Sequence, residues 1–505
     1  MKLSAYTLKN IQTDKVDVPG EALFELPEKV LQFGTGVLLR GLPDYFIDKA
    51  NRQGIFNGRI VVVKSTAQGD SSEFDKQDGL YTQCVRGYQE GEIVEENIIN
   101  ASISRVLNAA DHWGQILECA HNQQIQVIIS NTTEVGIQLV NEDIRRHPPV
   151  SFPAKLLAFL YERFKAFEGS AHSGMIIIPT ELISDNGKKL EAIVLELAHL
   201  NGLEEKFIEW LENHNRFCTS LVDRIVPGKP DAAELAIIEE EIGYKDQLLI
   251  MSEVYRLWAI EGDEVVKNIL SFAQADEGVI IAPDITIYKE LKLRLLNGTH
   301  TLSCGLAFLG QFVSVKQAMD NETISSFMSD LMLNELAPAI PYQVSPEVAK
   351  DFGTKVLDRF RNPQIKHHWI NITVQYTSKM KMRIVPLIVS HYKQNASAPE
   401  LLSLGFAGYL LFTKPQTKKS EKYFGILNGV EYPIQDEFAG SFMKRWNNFA
   451  PPELVKEVLS DTEVWGENLF ALPGFYESVL NKLNLLMSRG VVDVIESVQS
   501  KKEVV

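Results

Sequence analysis

The chain has 505 residues, with 50 Lys and Arg against 66 Asp and Glu, for a formal charge of −16. At ~100–200 residues per domain, that length holds two to four domains, and 45% hydrophobic with 23% charged residues is globular composition, not disorder. The acidic balance repels phosphate backbones and excludes a general nucleic-acid binder, while no apolar run reaches the ~18–20 residues that span a bilayer.

The opening MKLSAYTLKNIQTD has no apolar core of a secretory signal. Cys84, Cys119, Cys218 and Cys304 lie far apart and form no CxxC pair. A reduced, soluble, cytoplasmic protein without a metal site is therefore expected. The sequence fixes no oligomeric state, and a monomer is compatible with it.

Short apolar runs recur through the first half at residues 30–33, 60–63 (IVVV), 126–129 (QVII) and 175–178 (MIII, stopped by Pro179). Each is ended by polar, Gly or Pro residues, as strands buried on both faces of a parallel sheet are. Helical patterns at 42–52, 103–122 and 153–167 lie between them. Strand–helix alternation predicts an α/β, doubly wound, Rossmann-like domain. VPGKPD at 226–231 reads as a linker, which gives domains 1–230 and 231–505. The second is predicted to be mainly α-helical, with helices at 232–241, 287–309, 315–333, 346–361, 398–413, 452–460 and 473–488; 369–374 could be strand or helix.

The segment VLQFGTGVLLRGLPDYFID is a strand, a Gly-x-Gly turn and a helix pattern. Gly34 would permit the tight turn, and Gly36 would let the main chain approach a pyrophosphate at a helix N-terminus. Leu39 stands where the third fingerprint glycine belongs. The second strand ends in Val63-Lys64-Ser65-Thr66, with no acid until Asp70. Lys64 suits either a 2′-phosphate, as in NADP, or the pyrophosphate itself, so this local reading leaves NAD and NADP both open.

The most informative stretch is Glu290-Leu-Lys292-Leu-Arg-Leu-Leu-Asn297-Gly-Thr-His300. On a helix at ~100° per residue, Lys292, Asn297 and His300 fall at about 0°, 140° and 80°, within one broad arc. Burying three such groups is costly unless partners or a substrate satisfy them. A desolvated lysine amine can accept a hydroxyl proton while hydride leaves the carbon, an amide can donate to the developing alkoxide, and an imidazole can orient a hydroxyl. The competing reading is a solvated Lys, a backbone-bonded Asn and a satisfied core His. From these residues alone, both stay open.

Together with FGTGVLLR (33–40), QDGLYT (77–82), SNTTEVGI (130–137), IIIPTELISDNG (176–187), SLVDRIVPG (220–228), RFRNPQIKH (359–367) and SKMKMRIVP (378–386), this stretch resembles the mannitol dehydrogenase family of polyol-specific long-chain dehydrogenases. SNTTE, PTELI and NPQIKH favour its uronate branch. The resemblance implies metal-independent, NAD-dependent interconversion of D-altronate and D-tagaturonate in hexuronate (galacturonate) catabolism. Fructuronate/mannonate or another polyol is the alternative substrate pair, and a non-enzymatic dinucleotide-binding protein is a more distant one. The resemblance also implies Lys292 as general acid/base, Asn297 and Asn186 polarising the carbonyl oxygen, and His300 near the substrate. The NAD contacts it implies are Phe33, Gly34, Thr35, Gly36, Lys64, Thr133 and Glu134. The family often has a glutamate three residues before the lysine as a proton relay; here Lys289 stands there, with Glu290 beside it.

A sugar-acid substrate carries a carboxylate, which Lys or Arg binds by charge-assisted hydrogen bonds. Lys379, Lys381 and Arg383 alternate, so an extended segment would present them as one stripe. Lys379 matches a pocket lysine of the family, and Arg361 and His367 are further pocket candidates; a solvated basic face competes for Lys381 and Arg383.

Overall fold

In a computed structural model that describes residues 1–65, 71–132, 136–365 and 367–502, the apolar runs of the first half form one six-stranded sheet. Its strands are β1 (Glu28–Phe33), β2 (Arg59–Lys64), β3 (Ile103–Asn108), β4 (Val127–Ser130), β5 (Ile176–Pro179) and β6 (Arg216–Phe217). They lie in the order β3-β2-β1-β4-β5-β6, all parallel. This is the 3-2-1-4-5-6 order of the doubly wound dinucleotide fold, and the order reverses between β1 and β4. Alternate side chains feed two separate cores. Leu31, Phe33, Val61, Val63, Ile128 and Ile177 pack with Leu157, Leu190 and Phe207 on one face. Val30, Ile60, Val62, Ile129 and Ile178 pack with Phe46, Trp258 and Phe272 on the other. Burial on both faces is why these strands read as continuous apolar runs.

Two expectations need correction. The 103–122 segment is not one helix: Ile103–Asn108 is edge strand β3, paired with β2, and the helix Ala109–Glu118 begins only after Asn108. Asn108 caps that helix by accepting from the Ala110 N–H, a start signal inside the supposed helix. Nor does the first unit end at 230. The chain divides into Met1–Gly87 with Ile93–Ile285, and Tyr88–Glu92 with Thr286–Val505. The strand Ile250–Glu253 pairs with Gln83–Arg86, and Leu257–Glu261 pairs with Ser220–Asp223 and with Val279–Ala282. VPGKPD is therefore a turn within the first unit.

The second unit is mainly helical, with one small antiparallel sheet of Thr417–Lys419, Lys422–Leu427 and Val430–Ile434. Its centre is the helix Glu400–Phe412, packed against Asn297–Leu309 and Phe475–Ser488. Gly405 and Gly408 press against Leu302 and Leu306, where an added Cβ would come within 2.8 and 2.6 Å of their side chains. This close contact buries the helix that carries Asn297 and His300. Among the described residues, no helix is long and apolar enough to cross a membrane.

A buried acid lies under the glycine turn. Asp44 is fully buried, and burial pushes its carboxyl up to about 8, against the opposing hydrogen bond from Gln32 and the charge of Arg40. Gln32 Nε2 donates to both Asp44 Oδ2 and the Gly34 carbonyl, each at 3.4 Å. Because the folded pKa lies above the unfolded value, the folded state holds a proton that the unfolded state has lost. Stability is therefore lost as pH rises from about 4 to about 8 and is flat above. Asp44→Asn removes that slope. Its melting temperature relative to wild type is expected to climb by at least ~3 °C between pH 5 and pH 8 and then level off; parallel melting curves would rule the shifted acid out.

Candidate active site

The candidate dinucleotide elements lie in the first unit, at the end of the sheet where the strand order reverses. Gly34 has φ +129°, and a Cβ there would sit 2.9 Å from Leu39 Cδ1 and 3.0 Å from the Asn131 carbonyl, so only glycine fits. Gly36 precedes the helix Val37–Gly41, and a Cβ on it would meet nothing within 4 Å. The main chain there is open to an approaching group, as a pyrophosphate requires. Leu39 is wholly buried, and the close packing expected of a third glycine falls to Gly41, whose Cβ would lie 2.8 Å from Val226. Thr35 is half-buried in the turn. Phe33 is a core residue 5.2 Å from Phe152, so only its main chain borders the turn.

Lys64 is buried at the end of β2. Beside it, Ser65 Oγ is buried with no hydrogen-bond partner among the described residues. That is the position from which this fold reads the adenosine ribose, so the orphaned hydroxyl fits a dinucleotide. Thr133 and Glu134 lie outside the described residues. The main chain leading to them is held by Glu181, which accepts from Thr132 N at 2.8 Å, Thr132 Oγ1 at 3.0 Å and Ser130 Oγ at 3.2 Å. Glu181 went unselected in the sequence, although a carboxylate inside the apolar IIIPTELI was a signal for it.

Asn186 is completely buried, and its amide is committed to main chain. Nδ2 donates to the carbonyls of Pro179, Glu181 and Ser220, and Oδ1 accepts from Gly187 N and Ser220 N, all within 2.9–3.1 Å. This ties the end of β5 to the strand Ser220–Asp223 and leaves the amide no donor to spare.

In the second unit, Thr286–Leu291 is α-helix, Lys292–Leu296 is a π-turn, and Asn297–Leu309 resumes the α-helix. Asn297 N donates to the Lys292 carbonyl, closing a five-residue turn. In a regular α-helix residues five apart point ~140° apart; the wider π-turn brings Asn297 back toward the Lys292 face. His300, three residues on, lies about 60° to the side. Two further π-turns, Leu331–Leu336 and Met380–Ile384, pack against this one. Glu290 accepts from Arg294 Nε at 2.9 Å, while Arg294 Nη1 donates to the carbonyls of Met382 and Arg383 at 2.7 and 3.0 Å. Glu290 thus anchors Arg294.

His300 is buried, stacked on Phe360 at 4.2 Å and edge-on to His367 at 5.1 Å. Burial, then the charges of His367, Arg359, Arg383 and Lys379, hold its imidazole well below the usual histidine range. It is neutral at pH 7, and its Nε2 has no partner among the described residues. His367 is also shifted down, by burial and by His368, Lys379 and Arg359.

The segment bearing Lys379 is not extended: Tyr376–Lys379 is α-helix, and Met380–Ile384 is the third π-turn. Residues four apart then share a face, so the stripe splits. Lys379 and Arg383 lie on the His300 side, and Lys381 is exposed. Arg361 does not join them; its side chain is 42% exposed and pairs with Asp358 at 3.5 Å. The buried arginine of that helix is Arg359, whose charge acts on both histidines. Among the described residues, no group of His, Cys, Asp and Glu is placed to hold a metal ion.

Residues 28–273 match the family model described as the mannitol dehydrogenase Rossmann domain, and residues 284–487 match the mannitol dehydrogenase C-terminal domain. The chain is 35% identical over 473 residues to an altronate oxidoreductase of Bacillus subtilis (strain 168), covering 94% of this chain and 95% of that protein. It is 34% identical over 488 residues to one of Escherichia coli O6:K15:H31, covering 95% and 98%. In fold it is similar to mannitol 2-dehydrogenase of Pseudomonas fluorescens, solved as a ternary complex with NAD and D-mannitol (TM-score 0.64, 20% identity, 99% and 100% covered). It is also similar to a substrate-free D-sorbitol dehydrogenase (TM-score 0.75, 17% identity, 98% and 100% covered).

Proposed function

The chain belongs to the mannitol dehydrogenase family, and from that membership we propose that it interconverts D-altronate and D-tagaturonate with NAD(H), Lys292 serving as general acid/base. The observation that carries this reading is the π-turn, which turns position 297 back toward the face of Lys292, on the same stretch as a buried imidazole held well below its usual range. Relatives named altronate oxidoreductase, at 34–35% identity over nearly the whole chain, support the substrate pair. The cations Lys379, Arg359 and Arg383 around His300, in a chain of charge −16, support a substrate that carries a carboxylate.

The Gly34–Gly36 turn and Ser65 would hold the dinucleotide, with Lys64 alongside and with Thr133 and Glu134 beyond the segment that Glu181 braces. Bound NAD(H) supplies or accepts the hydride. In reduction, the Lys292 ammonium gives a proton to the carbonyl oxygen as negative charge develops there, and Asn297 donates a hydrogen bond to the same oxygen. In oxidation, the Lys292 amine takes the hydroxyl proton. Neutral His300 orients a neighbouring hydroxyl through Nε2, and Lys379 and His367 border the rest of the substrate. Asn186, bonded only to main chain, acts as a positioning residue.

The test follows the absorbance of reduced nicotinamide with tagaturonate, fructuronate and fructose, each with NADH and with NADPH. The fastest oxidation is expected with NADH and tagaturonate. Preference for fructuronate would move the enzyme to mannonate, preference for fructose would remove the carboxylate from recognition, and bound NADH that is never oxidised would leave a sensor.

A further inference from the structure

One cation beside His300 has a hydrogen-bonding edge left over. Arg383 Nη1 donates to Thr301 Oγ1 at 3.1 Å, and Thr301 Oγ1 in turn donates to the Asn297 carbonyl at 2.7 Å. Arg383 Nε is buried and has no partner among the described residues. In a guanidinium, Nη1 lies on the Cδ side, so Nε and Nη2 form the opposite edge, with two parallel N–H bonds. That fork matches a planar acceptor with two oxygens, which an ammonium cannot imitate.

Among the described residues, no hydrogen-bond acceptor meets Arg383 Nε. Burial pushes the Cys304 thiol up to about 12, so no thiolate neutralises the arginine. Lys379 does not compete for the role in the same way, because its Nζ donates to the Ile372 carbonyl at 2.8 Å. The guanidinium is also held in register with the catalytic turn. Arg294, inside the Lys292–Leu296 π-turn, grips the Met382 and Arg383 carbonyls, and Thr301 sits one turn beyond Asn297. The Arg294 and Thr301 side chains therefore tie the Lys292–Leu296 turn and its following helix to the segment that bears Arg383.

We propose that Arg383 is the specificity residue for the sugar acid, its Nε–Nη2 edge taking both oxygens of the substrate carboxylate while Lys292 serves the carbonyl. The assignment rests on the ketouronate reading above. It makes Arg383, rather than the exposed Lys381 or the ion-paired Arg361, the group that tells a ketouronate from a neutral ketose.

The experiment compares full-length wild type, Arg383→Met and Arg383→Lys. It measures KM and kcat for tagaturonate at saturating NADH, inhibition by altronate and by the neutral polyol altritol, and thermal melting. Arg383→Met is expected to raise KM at least ~100-fold with kcat within ~5-fold, the loss that follows truncating one partner of a buried charged pair. Arg383→Lys keeps the charge without the fork and recovers only part of that loss. Altronate inhibition weakens in step with KM, and altritol inhibition does not move. A folded Arg383→Met enzyme with unchanged KM, or equal weakening of altronate and altritol, overturns the assignment; if the Met variant does not fold, the same comparison is made on Arg383→Lys. A wild-type enzyme that reduces no ketouronate overturns the parent reading, a result distinct from either.

Discussion

Lys292→Ala is expected to lower kcat at least ~10²-fold while NADH affinity stays within ~2-fold. Proton transfer by a positioned side chain contributes roughly 10²–10⁴ in rate, and truncation to Ala leaves only water to carry the proton. Gly34, Gly36 and Ser65, proposed to hold the dinucleotide, belong to the first unit and Lys292 to the second, so the substitution changes no residue of the turn itself. The helix survives it as well, because Ala is the best helix former and Lys292 is only half-buried. Turnover with tagaturonate and an NADH fluorescence titration on the same preparation separate the two quantities. An unchanged kcat removes Lys292 from the reaction; a parallel loss of NADH binding would mean that the variant reports on folding.

Local pattern made the sheet legible. Runs such as IVVV at 60–63 are apolar at every position because β2 is covered on both faces, and Gly34 and Gly36 stand where the first strand meets its helix. Non-local pairing hid the rest. Strand β3 was masked because Ile103, Val106 and Leu107 also fit helical spacing, and the boundary was drawn early because the Ile250–Glu253 strand finds its partner far back in the chain. The π-turn has no signature in ELKLRLLNGTH; what accompanies it is the clamp from Glu290 through Arg294 to the third π-turn, a tertiary feature. Arg359 was legible and was missed: Phe352, Val356 and Arg359 follow i, i+4, i+7 on the buried face, and Arg361 falls off it. The family resemblance singled out Asn186 but carried no information about what its amide bonds to.

Asn186→Ala is expected to act on stability before it acts on chemistry, lowering the melting temperature by at least ~6 °C. Its amide serves the carbonyls of Pro179, Glu181 and Ser220 and the N–H groups of Gly187 and Ser220, all in a fully buried site. A buried main-chain group left unpaired costs about 1–3 kcal/mol, so losing even two or three of these partners puts the cost at ~3 kcal/mol or more; for units of this size each kcal/mol is worth ~2–4 °C. Rearrangement offers little relief, because a Cβ on the adjacent Gly187 would already lie 2.4 Å from Thr219 N and the two segments cannot close further. Glu181, whose own carbonyl is one of the bonded groups, braces Thr132, so the damage should spread to the segment proposed to contact the dinucleotide and appear as weaker NADH binding at temperatures where the variant is still folded. A carbonyl-polarising amide predicts the opposite pattern: a ~10²–10³-fold fall in kcat with melting temperature and NADH affinity intact. Melting curves and single-turnover rates on Asn186→Ala, with Asn297→Ala as the reference for the amide proposed to serve the reacting oxygen, decide between them.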